Sequence, residues 1–247
     1  LEYVERDYRL RHRQEDLTHF RVAAKETDLD VGVRKERFNQ GLFSLVEQLV
    51  LEYRDQLEKY IKEDPGFLKA LSPYNIKSDA PAIAVIMANS ASAAGVGPMA
   101  AVAGAISEAV GKKLLKYSRD VIVENGGDIY LRSRRIRKIG IFAGKSPLSH
   151  RIALEVQPDD TPAGICTSSG TVGHSLSFGC ADAVVIVSSS APLADAVATA
   201  TGNLVHSADD LEKAVDFALS IQGIRGAIVI KNEKMAVKGR IKLIPTS

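Results

Sequence analysis

From Ala80 to Ser107 the chain carries no charged side chain, a run longer than the ~20 residues that cross a bilayer as a helix. Its composition argues against that use. Ala, Gly and Ser make up most of it, Asn89 and Pro98 interrupt it, and the larger apolar groups are Ile83, Val85, Ile86, Met87, Val96, Met99, Val102 and Ile106. An uncharged segment of this kind has to be walled in by the rest of the fold, and its small side chains let other backbone come close. It reads as a buried strand, Ala82 to Ala88, then a glycine-broken loop, then a helix from Pro98 to Tyr117 whose Pro98 suits a first-turn position.

The rest of the chain is large enough to build that wall. With 247 residues, 45% of them hydrophobic and 25% charged, a chain buries about 70 to 75% of the surface that its unfolded form exposes. Packing alone can hold it. A formal charge of +2 is too near neutral to point to nucleic acid or to an anionic membrane. The two cysteines, Cys166 and Cys180, form no CxxC and have no histidine at finger spacing, so neither zinc nor a disulfide framework is implied. Leu1 to His12 alternates charged and apolar side chains and does not resemble a leader. A reducing cytoplasm fits these features.

Along the chain the hydrophobic period changes several times. The first thirty-five residues alternate as strands through Tyr3-Val4, Tyr8, Leu10, Phe20, Val22, Leu29, Val31 and Val33. From Lys35 to Glu63, Phe38, Leu42, Leu45, Val46, Leu49, Leu57 and Ile61 recur at helical spacing and end at Asp64-Pro65-Gly66. Val121-Ile122-Val123 and Ile129-Tyr130-Leu131 flank Asn125-Gly126-Gly127, a strong hairpin signal because Asn and Gly accept left-handed turn conformations. Further strands are expected at Lys138 to Phe142, Arg151 to Val156 and Ala183 to Val187. Helices are expected from Pro192 to Thr201, stopped by Gly202, and from Asp209 to Ser220. A last hairpin, Ala227 to Val237, turns at Asn232. Helix followed by hairpin thus occurs twice, which suggests two similar halves sharing a core.

Charge is unevenly spread. Ile152 to Glu212 contains no Lys or Arg but holds Glu155, Asp159, Asp160, Asp182, Asp195, Asp209, Asp210 and Glu212. Such a segment either attracts a metal ion or complements basic surface elsewhere. The basic run Arg132, Arg134, Arg135, Arg137 and Lys138 reads first as a solvated strand exit and second as a phosphate clamp.

Two local patterns can carry chemistry. In Ala194-Asp195-Ala196-Val197-Ala198-Thr199-Ala200, Asp195 and Thr199 stand one helical turn apart on a face kept open by alanine. Both offer the hard oxygen that Mg²⁺ accepts. The same spacing also suits an acid favoured by the helix dipole and a Thr bonded back to a carbonyl. In Thr167-Ser168-Ser169-Gly170-Thr171-Val172-Gly173-His174-Ser175, hydroxyl and backbone donors are dense enough to wrap phosphate or ribose, and His174 titrates near neutrality as a general base does. An ordinary turn-rich connector uses the same residues.

Taken together, Gly126-Gly127-Asp128, Thr167-Ser168-Ser169-Gly170 after an apolar strand, and Ala194 to Ala200 on a helix resemble, in that order, the ApbE superfamily. Gly97-Pro98-Met99-Ala100-Ala101-Val102-Ala103-Gly104 and His174-Ser175-Leu176-Ser177-Phe178-Gly179 narrow the likeness to its uncharacterised branch. The resemblance spans 80–239, with a meander and helices before it, and implies one domain. It implies an α+β, T-fold-like architecture of two related halves, with mainly antiparallel sheets covered by helices.

It also implies the chemistry of the characterised members, Mg²⁺-dependent transferases that use FAD to attach FMN to a Thr or Ser of a target protein. On that likeness Asp195 and Thr199 match the metal ligands, His174 falls near the activating base, and Gly126, Gly127, Asp128, Thr167, Ser168, Ser169 and Gly170 shape the cofactor site. The implied partners are a phosphorylated small molecule and a protein acceptor; the oligomeric state is left open. Gly97 to Gly104 stands where the transferases carry a DLGGIAKG-like stretch, but with no acid and no lysine. That keeps a second class in view, a non-catalytic binding or interaction protein with the same fold.

Overall fold

The computed structural model describes residues 14–170 and 178–246. Its order is β1 (Leu17–Ala24), β2 (Thr27–Arg34), α1 (Gln40–Glu63), α2 (Pro65–Lys69), α3 (Ala82–Ala94), α4 (Val102–Leu114), β3 (Val121–Asn125), β4 (Asp128–Arg132), β5 (Arg137–Gly140), β6 (Ile152–Val156), β7 (Ala163–Ser168), β8 (Ala183–Ser188), α5 (Ala191–Asn203), α6 (Leu211–Ser220), β9 (Ile224–Lys231), β10 (Lys234–Gly239) and β11 (Leu243–Pro245). Short 3₁₀ turns, Pro98–Ala101 and Ala208–Asp210, lead into α4 and α6. The strands expected before Gln14 lie outside the described residues.

An eight-stranded sheet in the order β1-β2-β3-β4-β7-β8-β9-β10 runs through the middle, and every neighbouring pair in it is antiparallel. The helices cover one face and a three-stranded sheet, β11-β6-β5, covers the other. That explains the unbroken apolar runs. In β8, Val184 and Ile186 point to the helices, while Ala183, Val185 and Val187 point to the small sheet. A strand buried on both faces cannot alternate with polar residues, whichever way its neighbours run. The α+β class expected from the sequence is the one observed, and α4 with β3-β4 and α6 with β9-β10 repeat the helix-hairpin unit within one sheet.

The stretch expected as a strand, Ala82 to Ala88, is instead the first half of a helix. Ile83, Ala84, Met87, Ala88, Ala91 and Ala94 form its buried face, a helical spacing, and alanine is the best helix former. Gly95 closes it in a left-handed conformation with φ of 74°. The two helices of the uncharged segment meet at a bend of 102°, and among the described residues no single helix is long and apolar enough to cross a membrane. Gly202, expected to stop α5, lies inside it.

The basic run is not simply solvated. Arg137 is 2% exposed. Its Nη2 lies 3.0 Å from Asp16 Oδ2 and 3.5 Å from Asp120 Oδ1, and its Nε donates to Ser133 Oγ at 2.7 Å. Burial pushes the Asp120 carboxyl up, but the Arg134 N–H, the Ser133 hydroxyl and the guanidinium of Arg137 outweigh it and hold the acid below its ordinary range. Arg137→Ala is therefore expected to lower stability in a urea series by about 3 kcal/mol or more, since it leaves the buried Asp120 with Arg34, 3.7 Å away, as its one remaining cation among the described residues. A loss of less than about 1 kcal/mol would mean that the remaining donors suffice.

Candidate functional site

The β3-β4 turn forms as its residues dictate. Gly126 and Gly127 take φ of 68° and 107°, Asn125 pairs with Asp128 across them, and the Gly127 N–H donates to Glu124 Oε1 at 2.7 Å. Asn125 Nδ2 donates to the Ala103 carbonyl at 3.2 Å, which ties the turn to the start of α4. Because Ile129 pairs with Ile165, the antiparallel register sets Asp128 beside Cys166 and Gly127 beside Thr167. A Cβ on Gly127 would lie 3.6 Å from the Thr167 carbonyl oxygen.

Helix α5 crosses behind these strands and is clamped at its start. The Ala191 N–H donates to Glu108 Oε2 at 2.6 Å, and the Ala191 carbonyl accepts from Cys166 Sγ at 3.2 Å. One turn on, Asp195 Oδ2 accepts the Gly104 N–H at 2.9 Å. Each helix thus supplies the carboxylate that satisfies the other's free N-terminal amide. Neither Ala101 nor Ser190 caps its own helix with a side chain.

Asp128 is 7% exposed and its Oδ1 has no hydrogen-bond partner. Burial and then the charge of Asp195 push its carboxyl well above the ordinary range, against the weaker pull of the Thr167 N–H. Asp195 keeps part of its residue surface in solvent, but its carboxyl is buried and is pushed up to about 7, with the Gly104 and Ala103 N–H groups acting the other way. Burial and both acids raise the Cys166 thiol too. Two buried carboxyls whose charges act on each other ionise together only at a cost that a shared cation would remove.

Four other acids of the cation-free segment, Glu155, Asp160, Asp182 and Glu212, find partners among basic residues outside it. Glu155 meets Lys242 at 2.6 Å, Asp160 meets Arg240 at 2.8 Å and Asp182 meets Lys231 at 3.8 Å. Charge complementarity, the plainer of the two sequence readings, accounts for those. Asp195 differs because its charge acts on another buried acid, Asp128.

Among the described residues no three His, Cys, Asp or Glu side chains converge on a metal position, so a closed protein cage is excluded there. Mg²⁺ needs none, since it binds through one or two carboxylates and completes its octahedron with water and phosphate oxygens. The unpartnered Asp128 Oδ1, Asp195 and the half-buried Thr199 a turn further along α5 fit that requirement. The sequence pattern flagged Asp195 and Thr199 but missed Asp128 as a partner of Asp195, and missed Glu108 and Cys166 altogether. Glu108 ends the uncharged segment, and that position was its one visible signal.

The serine loop is pinned at its base. The Gly170 N–H donates to the Ala181 carbonyl at 2.9 Å, and Ser169 Oγ reaches the same oxygen at 3.5 Å. A Cβ on Gly170 would meet the Gly179 carbonyl at 2.1 Å, and one on Gly179 the Gly202 carbonyl at 1.9 Å. Ser168 lies against the Gly202 position of α5, 3.8 Å from where a Cβ would sit. Thr167 is thus brought to Asp128, and Ser168 and Gly170 to the end of the helix that carries Asp195. His174 lies outside the described residues. A groove of about 700 Å³ lined by Asn39, Leu42, Leu45, Lys116 and Tyr117 shares no residue with this site.

Residues 9–237 match the model of a protein family described as AbpE bacteria. A UPF0280 protein of Methanococcus vannielii is 42% identical over 231 residues, which cover 92% of this chain and 91% of that one. Among solved structures, the apo form of Pseudomonas stutzeri flavinyl transferase ApbE has a TM-score of 0.61 at 16% identity, covering 90% of this chain and 94% of that one. The flavin transferase ApbE from Vibrio cholerae has a TM-score of 0.58 at 14% identity, covering 90% and 96%. At such identity the structural likeness speaks for the fold.

Proposed function

We propose, from the premise that this chain belongs to the family described as AbpE bacteria, that it handles a flavin or another nucleotide with Mg²⁺ and carries out transferase-like chemistry. The observation that carries this reading is the buried, unpartnered Asp128 Oδ1 set against Asp195. Asp195, Asp128 and Thr199 hold the ion. The hydroxyls of Thr167 and Ser168 are the donors offered to the phosphates, while the Gly126-Gly127 turn and Ser169-Gly170, whose Gly127 N–H, Gly170 N–H and Ser169 hydroxyl are taken up by Glu124 and Ala181, shape the walls. When bound, Mg²⁺ supplies the positive charge that neutralises a pyrophosphate in a segment without Lys or Arg. In the flavin version an acceptor hydroxyl oxygen bonds to the FMN phosphorus, the bond to the AMP oxygen breaks, and the hydroxyl proton passes to His174.

A second reading, a ligand-binding protein without transfer activity, is favoured by one feature. Gly97 to Gly104 is a turn running into α4 and brings no acid or lysine to the site. Calorimetric titration with FAD, ADP and pyrophosphate, each with Mg²⁺ or with EDTA, separates the two. Binding that needs Mg²⁺ and disappears in Asp195→Ala is expected, together with flavin fluorescence on a Thr-containing peptide. Binding without transfer leaves the second reading; no heat from any ligand in either protein removes both.

A further inference from the structure

The reciprocal bonds between α4 and α5 give Glu108 a role that its distance from any ligand hides. We propose that Glu108 is a positioning residue for the metal site, holding the start of α5 so that Asp195 one turn later is aimed at Asp128. The proposal rests on the reading that Asp195 grips the cation.

Four observations meet at Ala191. Glu108 Oε2 takes its N–H at 2.6 Å, and Cys166 Sγ donates to its carbonyl at 3.2 Å. A Cβ on Gly104 would stand 2.4 Å from its carbonyl oxygen, and one on Gly164 would stand 2.4 Å from its Cα. The helix start therefore sits in a slot between α4 and β7 that only glycine leaves open, and Glu108 supplies the polar bond within it. Glu108 is 8% exposed, and its other oxygen is held by Lys112 Nζ at 2.5 Å, so the carboxylate is oriented from both ends. The return bond, Asp195 Oδ2 to the Gly104 N–H, lies one turn before Glu108 on α4. Loss of either bond loosens the other, because both join the same pair of helices.

This is a claim about aim as well as strength, so stability alone does not decide it. Three variants are compared with wild type at a temperature where all are folded. Glu108→Ala removes the acceptor, Glu108→Gln keeps a carbonyl oxygen at the same reach, and Val46→Ala weakens the core of α1 away from the site. The readouts are hydrogen exchange of the Gly104 amide and calorimetric affinity for Mg²⁺ alone.

Glu108→Ala is expected to lose at least about tenfold in Gly104 protection and about tenfold in Mg²⁺ affinity. Glu108→Gln should stay within about threefold on both, and Val46→Ala should leave Mg²⁺ affinity unchanged. If Glu108→Ala does not fold, Glu108→Leu, which fills the same space without an acceptor, takes its place with the same expected losses, and a Glu108→Leu protein unchanged on both readouts overturns the role. An unaltered Gly104 amide in Glu108→Ala overturns it as well, as does lost protection with wild-type Mg²⁺ affinity. Wild type that binds no Mg²⁺ refutes the metal reading and this role with it, while Gly104 exchange still reports whether the two helices are latched.

Discussion

Between pH 5 and pH 8.5, with EDTA present, the protein is expected to lose about 3 kcal/mol of unfolding free energy through Asp195 alone, and Asp195→Asn is expected to show a shallower slope, the part that the buried Asp128 supplies. The sign follows from the direction of the shift. Asp195 is raised in the folded protein from 3.8 to about 7, so in that interval the folded state holds a proton that the unfolded chain has released. The stabilisation is complete below the unfolded value and is lost as pH rises through the folded one. Asp128 is displaced in the same direction by burial and by Asp195, and adds to the slope. Asp16 is held low mainly by its bond to Arg137, and Asp120 is low as well. These acids act oppositely, and their stabilisation is lost only as pH falls toward and below 3.8, outside the interval.

Millimolar Mg²⁺ should reverse the trend, because a divalent ion binds the ionised pair best and stabilises the folded state by mass action. Thermal shift on Mg²⁺ addition should accordingly be larger at pH 8.5 than at pH 5. A flat wild-type profile would deny the buried pair. A slope undiminished in Asp195→Asn would place its source elsewhere, and a slope that falls in Asp195→Asn with no wild-type response to Mg²⁺ would leave Asp195 as a helix-capping acid only.

What the sequence disclosed divides along the range of the forces involved. The turn at Asn125-Gly126-Gly127-Asp128 was readable because left-handed backbone is a local demand with a local answer. The spacing of Asp195 and Thr199 was readable because a helix has one period. Ala82 to Ala94 was misread as strand and loop because an uncharged apolar run looks alike in either state, and its alanine content was the deciding evidence. Arg137 looked like part of a solvated run; the acids that hold it, Asp16 and Asp120, both lie earlier in the chain, Asp16 by 121 positions. Glu108 was invisible as a site residue, and Asp128 as the partner of Asp195, for the same reason. Their partners, Ala191 and Asp195, lie across the fold, and no local pattern records a bond that closes only when two helices dock.

Gly164→Ala should be the most damaging small substitution in the site's frame, costing about 3 kcal/mol or more and abolishing Mg²⁺ binding in whatever remains folded. A Cβ there would stand 2.4 Å from Ala191 Cα, 2.5 Å from Ala191 N and 2.7 Å from the Ser190 carbonyl carbon. All three are backbone atoms, so no side-chain rotation relieves the overlap, and either α5 must leave β7 or the strand must bend. If the helix moves, the bond from Ala191 to Glu108 and the bond from Asp195 to Gly104 move with it, and the carboxylate pair is split. Gly95→Ala is the matched comparison, since a Cβ there meets nothing within 4 Å and the only penalty is φ of 74°, about 1 to 2 kcal/mol. Urea denaturation of the two variants, with calorimetric Mg²⁺ titration of each, measures the difference. If Gly164→Ala proves no less stable than Gly95→Ala and still binds the ion, the close docking of α5 on β7 does not aim Asp195, and the cation site must be organised from the turn and the serine loop instead.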